Sequence, residues 1–107
     1  MRYKIMRLIC MFDLPVETDE NKRQYREFRK GLIKEGFIMM QYSVYVRTCP
    51  NKEFAIRVEK KISRILPSGG NVRLLCITEK QYEDMKILVG KKNKSEELIG
   101  KERMIVI

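Results

Sequence analysis

From Met6 to Phe12 the chain runs Met-Arg-Leu-Ile-Cys-Met-Phe, and as an extended strand it is apolar on both faces. Leu8, Cys10 and Phe12 line one face, while Ile9 and Met11 line the other. Such a strand needs cover on both sides, which places it in the middle of a sheet. Asp13 ends it. Leu14-Pro15 then stops it, because proline has no N–H to give to the ladder.

The rest of the chain supplies what this strand needs. Thr18 or Asp19 caps a helix expected from about Asp19 to Glu35, with Tyr25, Phe28, Leu32 and Ile33 as its apolar stripe. Gly36 is placed to end it in a left-handed C-cap. Phe37 to Met40 and Tyr42 to Arg47 read as strands. No glycine turn separates them, so a bent hairpin and one bulged strand both fit. Pro50-Asn51 opens a second helix, Lys52 to Leu66, with Phe54, Val58, Ile62 and Ile65 at helical spacing. Pro67-Ser68-Gly69-Gly70 ends it, and Asn71 to Thr78 is a further strand. Beyond Glu79 the pattern weakens to a helical turn over Gln81 to Met85 and a short strand over Lys86 to Val89. A polar Gly90 to Gly100 segment reads as a mobile loop, and the apolar Met104 to Ile107 as a strand in need of a partner.

The order strand, helix, strand, strand, helix, strand is the split βαβ pattern of the ferredoxin-like α+β fold. One domain is the expectation for 107 residues, with the mobile loop and C-terminal strand from about residue 90. Both helices would cover one sheet face. The other face is apolar too, and a two-fold homodimer is the common answer to an open apolar sheet.

Charge points to partners. Lysine and arginine number 23 against 14 acidic residues, a net charge of 23 − 14 = +9. A surplus of this size concentrates polyanions, with nucleic acid ahead of an anionic membrane. There is no histidine, so Ser–His and Cys–His nucleophile pairs are excluded. Cys10, Cys49 and Cys76 are far apart and in no CxxC spacing, which argues against zinc and against a disulfide framework. Arg2, Lys4 and Arg7 precede the first apolar run, but no small-residue cleavage site follows it and no stretch is long enough to span a bilayer. A soluble, cytoplasmic protein with reduced thiols and no membrane partner is the expectation.

Asp13 is the candidate for chemistry, lying where an apolar strand meets a Pro-bounded turn. One carboxylate holds magnesium poorly, whereas two brought together on a two-fold axis, with waters and phosphate oxygens, suit it well. Paired carboxylates repel, so such a site would bind metal better at higher pH. The competing reading makes Asp13 a turn-former or cap. The second feature is the basic face of the first helix. Lys22, Arg23, Arg26, Arg29 and Lys30 either track a phosphate backbone or form a solvated face with pairs such as Arg23–Glu27. Lys91, Lys92 and Lys94 offer a weaker patch. Tyr42 and Tyr45 could stack bases, but Tyr45 reads better as core or dimer face. Ser43 has no activating base.

Met11-Phe12-Asp13-Leu14-Pro15, the Tyr25-Arg26-Glu27-Phe28-Arg29-Lys30 helix and the Glu35-Gly36-Phe37 to Gln41-Tyr42-Ser43-Val44-Tyr45 run together resemble the CRISPR-associated protein 2 family, in the form found beside type II loci. Leu74 to Glu79 followed by Lys80-Gln81-Tyr82 resembles the family's fourth strand and its exit. The resemblance implies a ferredoxin-like symmetric dimer whose C-terminal strand adds to the partner's sheet. It implies a magnesium site, or manganese as the alternative, built by Asp13 and its dyad mate. It also implies a scaffold role in spacer acquisition, with the integrase CRISPR-associated protein 1 clamping the dimer and duplex DNA lying across it. Many members are described as metal-dependent nucleases, so single-stranded RNA is a further candidate substrate. Two rivals stand beside this reading: a stand-alone toxin-like nuclease, and a ferredoxin-like regulatory domain that binds an acidic protein.

Overall fold

The structure, a computed structural model, describes residues 4–90. The expectations for Lys91, Lys92 and Lys94 and for the Met104 to Ile107 strand lie outside the described residues.

The elements are β1 (Met6–Asp13), α1 (Asp19–Lys34), β2 (Ile38–Gln41), β3 (Val44–Cys49), α2 (Lys52–Ser63), β4 (Asn71–Thr78) and α3 (Glu79–Glu83). The sheet has the order β2-β3-β1-β4, with every neighbouring pair antiparallel. This is the expected ferredoxin-like α+β topology, with β1 in the interior. Leu8, Cys10 and Phe12 of β1 join Phe28 and Leu32 of α1, Ala55, Val58 and Ile62 of α2, and Phe37 and Tyr45 in one buried cluster. Tyr45 is therefore core, its ring 5.7 Å from that of Phe12.

The helix boundaries follow local chemistry. Thr18 caps α1 in a reciprocal box with Asn21, each side chain accepting from the other's backbone N–H. Gly36, at φ +91, turns the chain after α1, and the freed Glu35 carbonyl accepts from Arg47 Nε at 2.9 Å. The Arg47 guanidinium also lies 4.7 Å from the centre of the Phe54 ring. Asn51 caps α2 through Phe54 N–H.

Several expectations need correction. The helical turn after β4 runs over Glu79–Glu83 and not Gln81 to Met85, and β3 starts at Val44 and not Tyr42. Ile33 is exposed, because the α1 stripe narrows to Phe28 and Leu32 with Tyr25 half-buried. The second helix stops at Ser63, and Ile65 lies beyond it, packed on Gly31 of α1 and partly exposed. Arg23 pairs at i−3 with Glu20, at 2.6 Å, and not with Glu27. Residues Lys86 to Val89 form no strand; Ile87 alone makes an isolated bridge.

The second sheet face is only partly open. Tyr82 of α3 closes one end of it over Ile9 and Val46. Arg7, 3% exposed, holds α3 there: its guanidinium makes a two-pronged contact with Glu79, at 2.6 and 2.9 Å, and lies 4.1 Å over the Tyr82 ring. Around that cluster Met11, Ile38, Met40 and Val44 are only half-buried, and Leu75, paired with Ile9, is 49% exposed, so the rest of the face is incompletely covered by the described residues.

Candidate functional site

The open end of the sheet leads to Asp13. Alternation along β1 puts Asp13 on the same face as Ile9 and Met11, and its side chain is exposed. The ladder places Asn71 of β4 opposite Asp13 and Arg73 opposite Met11, both exposed on that face. Gln41 of β2, also exposed, is paired with Val44 across the sheet. An apolar surface thus ends in a polar rim with one carboxylate, two amides and a guanidinium.

Two features fix the Asp13 backbone. On one side Phe12 N–H donates to the Ser43 carbonyl at 3.0 Å, so the β2–β3 turn is tied to the end of β1. Ser43 adopts φ 63, and the ladder shifts register between Met39 and Gln41, which is the bulge that lets this turn fold back without glycine. On the other side Gly70, at φ +83, lies so close that a Cβ there would stand 2.6 Å from the Asp13 carbonyl oxygen. Gly70 closes the loop from α2 directly against the residue that carries the carboxylate.

Among the described residues no group of three or more Cys, Asp or Glu is placed to hold a metal. Asp13 is a hard oxygen donor with open access, and one such carboxylate plus waters and phosphate oxygens is a coordination pattern magnesium accepts. A single chain offers one carboxylate at this rim, and a second copy would double the donor set.

Of the basic residues, Lys22, Arg23, Arg26, Arg29 and Lys30 are all exposed on α1. They do not form one patch. Gln24, Gly31 and Glu35 mark the flank of α1 that meets α2 and its exit, through Ser68, Ile65 and Lys61. At 3.6 residues per turn, Lys22, Arg26 and Arg29 fall on the opposite flank and Arg23 and Lys30 on the outer crest. Arg23 is engaged by Glu20, whose carboxyl it holds down at about 2 with help from Gln24. Lys22, Arg26 and Arg29 form no ion pair among the described residues.

Sequence reasoning missed Asn71, Arg73 and the buried role of Arg7. Strand alternation alone places Arg73 on the face of Leu75, but only the β1–β4 register shows that it pairs with Met11, the next residue on that face from Asp13. Arg7 passed for one of several surface cations preceding the apolar run. Tyr42 was expected as the first residue of a strand, but it stands in the turn before β3. It is 78% exposed, and a hydrogen bond to Tyr25 raises its hydroxyl pKa.

The three cysteines are free. Burial pushes the Cys10 thiol up to about 12. No helix among the described residues is long and apolar enough to cross a membrane.

Comparison with known proteins agrees with this architecture. A CRISPR-associated endoribonuclease Cas2 of Ligilactobacillus salivarius is 58% identical over 102 residues, covering 95% of this chain and all of that protein. The protein of the same name from Lacticaseibacillus rhamnosus is 52% identical over 79% of this chain and 84% of its own length. That from Treponema denticola is 46% identical over 95% of this chain and all of its own. A crystal structure of cas2 superposes with a TM-score of 0.50 at 20% identity, covering 85% of this chain and 92% of that one, which supports the fold. The family described as CRISPR associated protein Cas2 matches residues 6–85, from the first residue of β1 past the end of α3. With the sheet, the Asp13 rim and both helices inside that match, the chain belongs to the CRISPR-associated protein Cas2 family.

Proposed function

We propose that the protein is a dimeric, nucleic-acid-handling subunit of CRISPR spacer acquisition that carries a metal site of endonuclease type at its dyad. The observation that carries this reading is the exposed Asp13 carboxylate at the rim of an uncovered apolar sheet face. Burying that face against a second copy removes apolar surface from water. A two-fold axis near the rim brings the two Asp13 side chains together, where neither carboxylate is stable without a cation. The pair would hold magnesium, or manganese, which polarises a phosphodiester and lowers the pKa of a bound water. The residues of the chain then have distinct tasks. Asp13 holds the ion. The Asn71 amide donates toward a phosphate or water oxygen, and Arg73 offsets phosphate charge beside it. No histidine is present to act as base, so no side chain of this rim is assigned that step.

In this reading the integrase CRISPR-associated protein 1 grips the central dimer, and duplex DNA lies along Lys22, Arg26 and Arg29 of each α1. A second reading, a stand-alone metal-dependent endoribonuclease, is favoured by the name that the relatives share.

The test compares wild type with Asp13→Asn on labelled single-stranded RNA and duplex DNA, with magnesium, manganese or EDTA, across pH. Losing metal-stabilised charge is worth several kcal/mol, so cleavage is expected to fall roughly a hundredfold or more in the variant and in EDTA. Duplex binding should survive Asp13→Asn and weaken steeply with salt. If neither protein cuts while both bind duplex, the scaffold role stands alone and Asp13 is not a catalytic ligand.

A further inference from the structure

The β2–β3 turn presents an aromatic ring in an unusual setting. Tyr42 is 78% exposed, yet its backbone is fixed by the left-handed Ser43 and the Phe12–Ser43 hydrogen bond. Its hydroxyl lies close enough to that of Tyr25 for its pKa to be raised, and Tyr25 packs edge-on against Phe12 at 5.9 Å. A ring on so constrained a backbone, with open faces, loses little conformational freedom when something settles on it. Core packing does not account for it, because the neighbouring Tyr45 takes the core position.

The surroundings are cationic. Tyr25 has Lys22 at i−3, Arg26 at i+1 and Arg29 at i+4, all exposed and unpaired among the described residues. The one acidic side chain in the first turns of α1 that forms an ion pair, Glu20, is engaged with Arg23 on the crest. Asp13 follows directly after Phe12, the residue bonded to the turn. An open aromatic face beside a row of cations is how proteins hold single strands. The cations track the phosphates and the ring takes an unpaired base, whereas a paired base keeps its faces inside the stack.

We propose that Tyr42 is a stacking platform for an unpaired base, with Lys22, Arg26 and Arg29 holding the flanking phosphates. This rests on the nucleic-acid reading above and narrows it: the nucleic acid held on this flank of α1 is a single strand or the frayed end of a duplex. The ring is a positioning group and takes no part in bond breaking.

The chain contains no tryptophan, so Tyr42→Trp in the full-length protein carries a single indole as reporter. Titration with a short oligouridine should quench it saturably, while a blunt DNA duplex should leave it unchanged. Tyr42→Ala should raise the oligouridine Kd by roughly tenfold or more, as loss of one base–aromatic stack does. Tyr42→Phe should bind like wild type, and blunt-duplex affinity should be the same in all three. The proposal is overturned if Tyr42→Ala binds oligouridine as wild type does, or if duplex quenches the indole equally. It is also overturned if Tyr42→Ala alters sedimentation but not oligouridine binding, since the ring would then cover a protein partner. Arg26→Ala separates the two levels. If it weakens both nucleic acids while Tyr42→Ala weakens neither, nucleic-acid binding stands and the platform does not. If wild type binds neither ligand, both readings fail.

Discussion

Cys10 shows how a residue can be chemically silent while lying three positions from an exposed carboxylate, Asp13. Its thiol is buried in the interior strand, and burial holds its pKa at about 12 against the ordinary 9.0. The unfolded chain releases that proton near the ordinary value and the folded chain does not. The protonated thiol's contribution to stability is therefore complete below about pH 9 and is lost as pH rises toward about 12. Thermal unfolding followed from pH 8 upward should show a steeper alkaline decline in wild type than in Cys10→Ala. A thiol reagent at neutral pH should leave Cys10 unmodified until the protein unfolds. Rapid native labelling of Cys10 would contradict the burial. Asp13 differs because strand alternation turns it outward at the rim. The alternation of β1 was readable from sequence. Which neighbours meet Asp13 was not, because register depends on the turn and loop geometry at both ends of the sheet.

At the scale of elements, the Gly70 loop decides whether the rim keeps its shape. A Cβ at this position would meet the Asp13 carbonyl at 2.6 Å and Leu14 at 2.9 and 3.1 Å, in a backbone conformation that side chains disfavour. The obstructing atoms include backbone, which cannot rotate away. Gly70→Ala is expected to cost about 1–3 kcal/mol in urea unfolding. It should also reduce any Asp13-dependent cleavage more than the stability loss explains. A variant as stable and as active as wild type would show that the β4 entry relaxes freely. Both helices, their caps and the strand order were legible, since caps, glycines and periodicity are local signals. The β2–β3 boundary was read two residues early, because the turn is made by a bulge and a left-handed Ser43 in place of the glycine that would announce it. The clamp of Arg7 on Glu79 joins residues 72 positions apart and leaves no local trace.

For the whole molecule the proposed dimer rests on the uncovered part of the second sheet face. Leu75 is half-exposed there in the isolated chain, so replacing it should spare the fold and affect what covers it. Leu75→Glu would bury a carboxylate in the expected dimer, and sedimentation should show the dimer Kd raised by at least about tenfold with unchanged helical content. Metal-dependent cleavage, if it needs both Asp13 carboxylates, should fall in parallel. A Leu75→Glu protein that remains dimeric would place the interface elsewhere. Alternation along the strands predicted this apolar face. It did not predict that α3, clamped by Arg7, already covers the end near Ile9 and Val46.

That clamp, together with the position of β1, sets a condition on biosynthesis. β1 is the first strand to be made, yet one neighbour is β4 and its second face is closed by α3. A nascent chain must therefore carry one edge and part of the second face of β1 unshielded until nearly all the described residues have emerged. Pairings this distant in sequence are slow to form, and exposed strand edges promote association between incomplete chains. Yield in rapid overexpression should thus be governed by how long β1 waits for β4, independently of how stable the finished protein is.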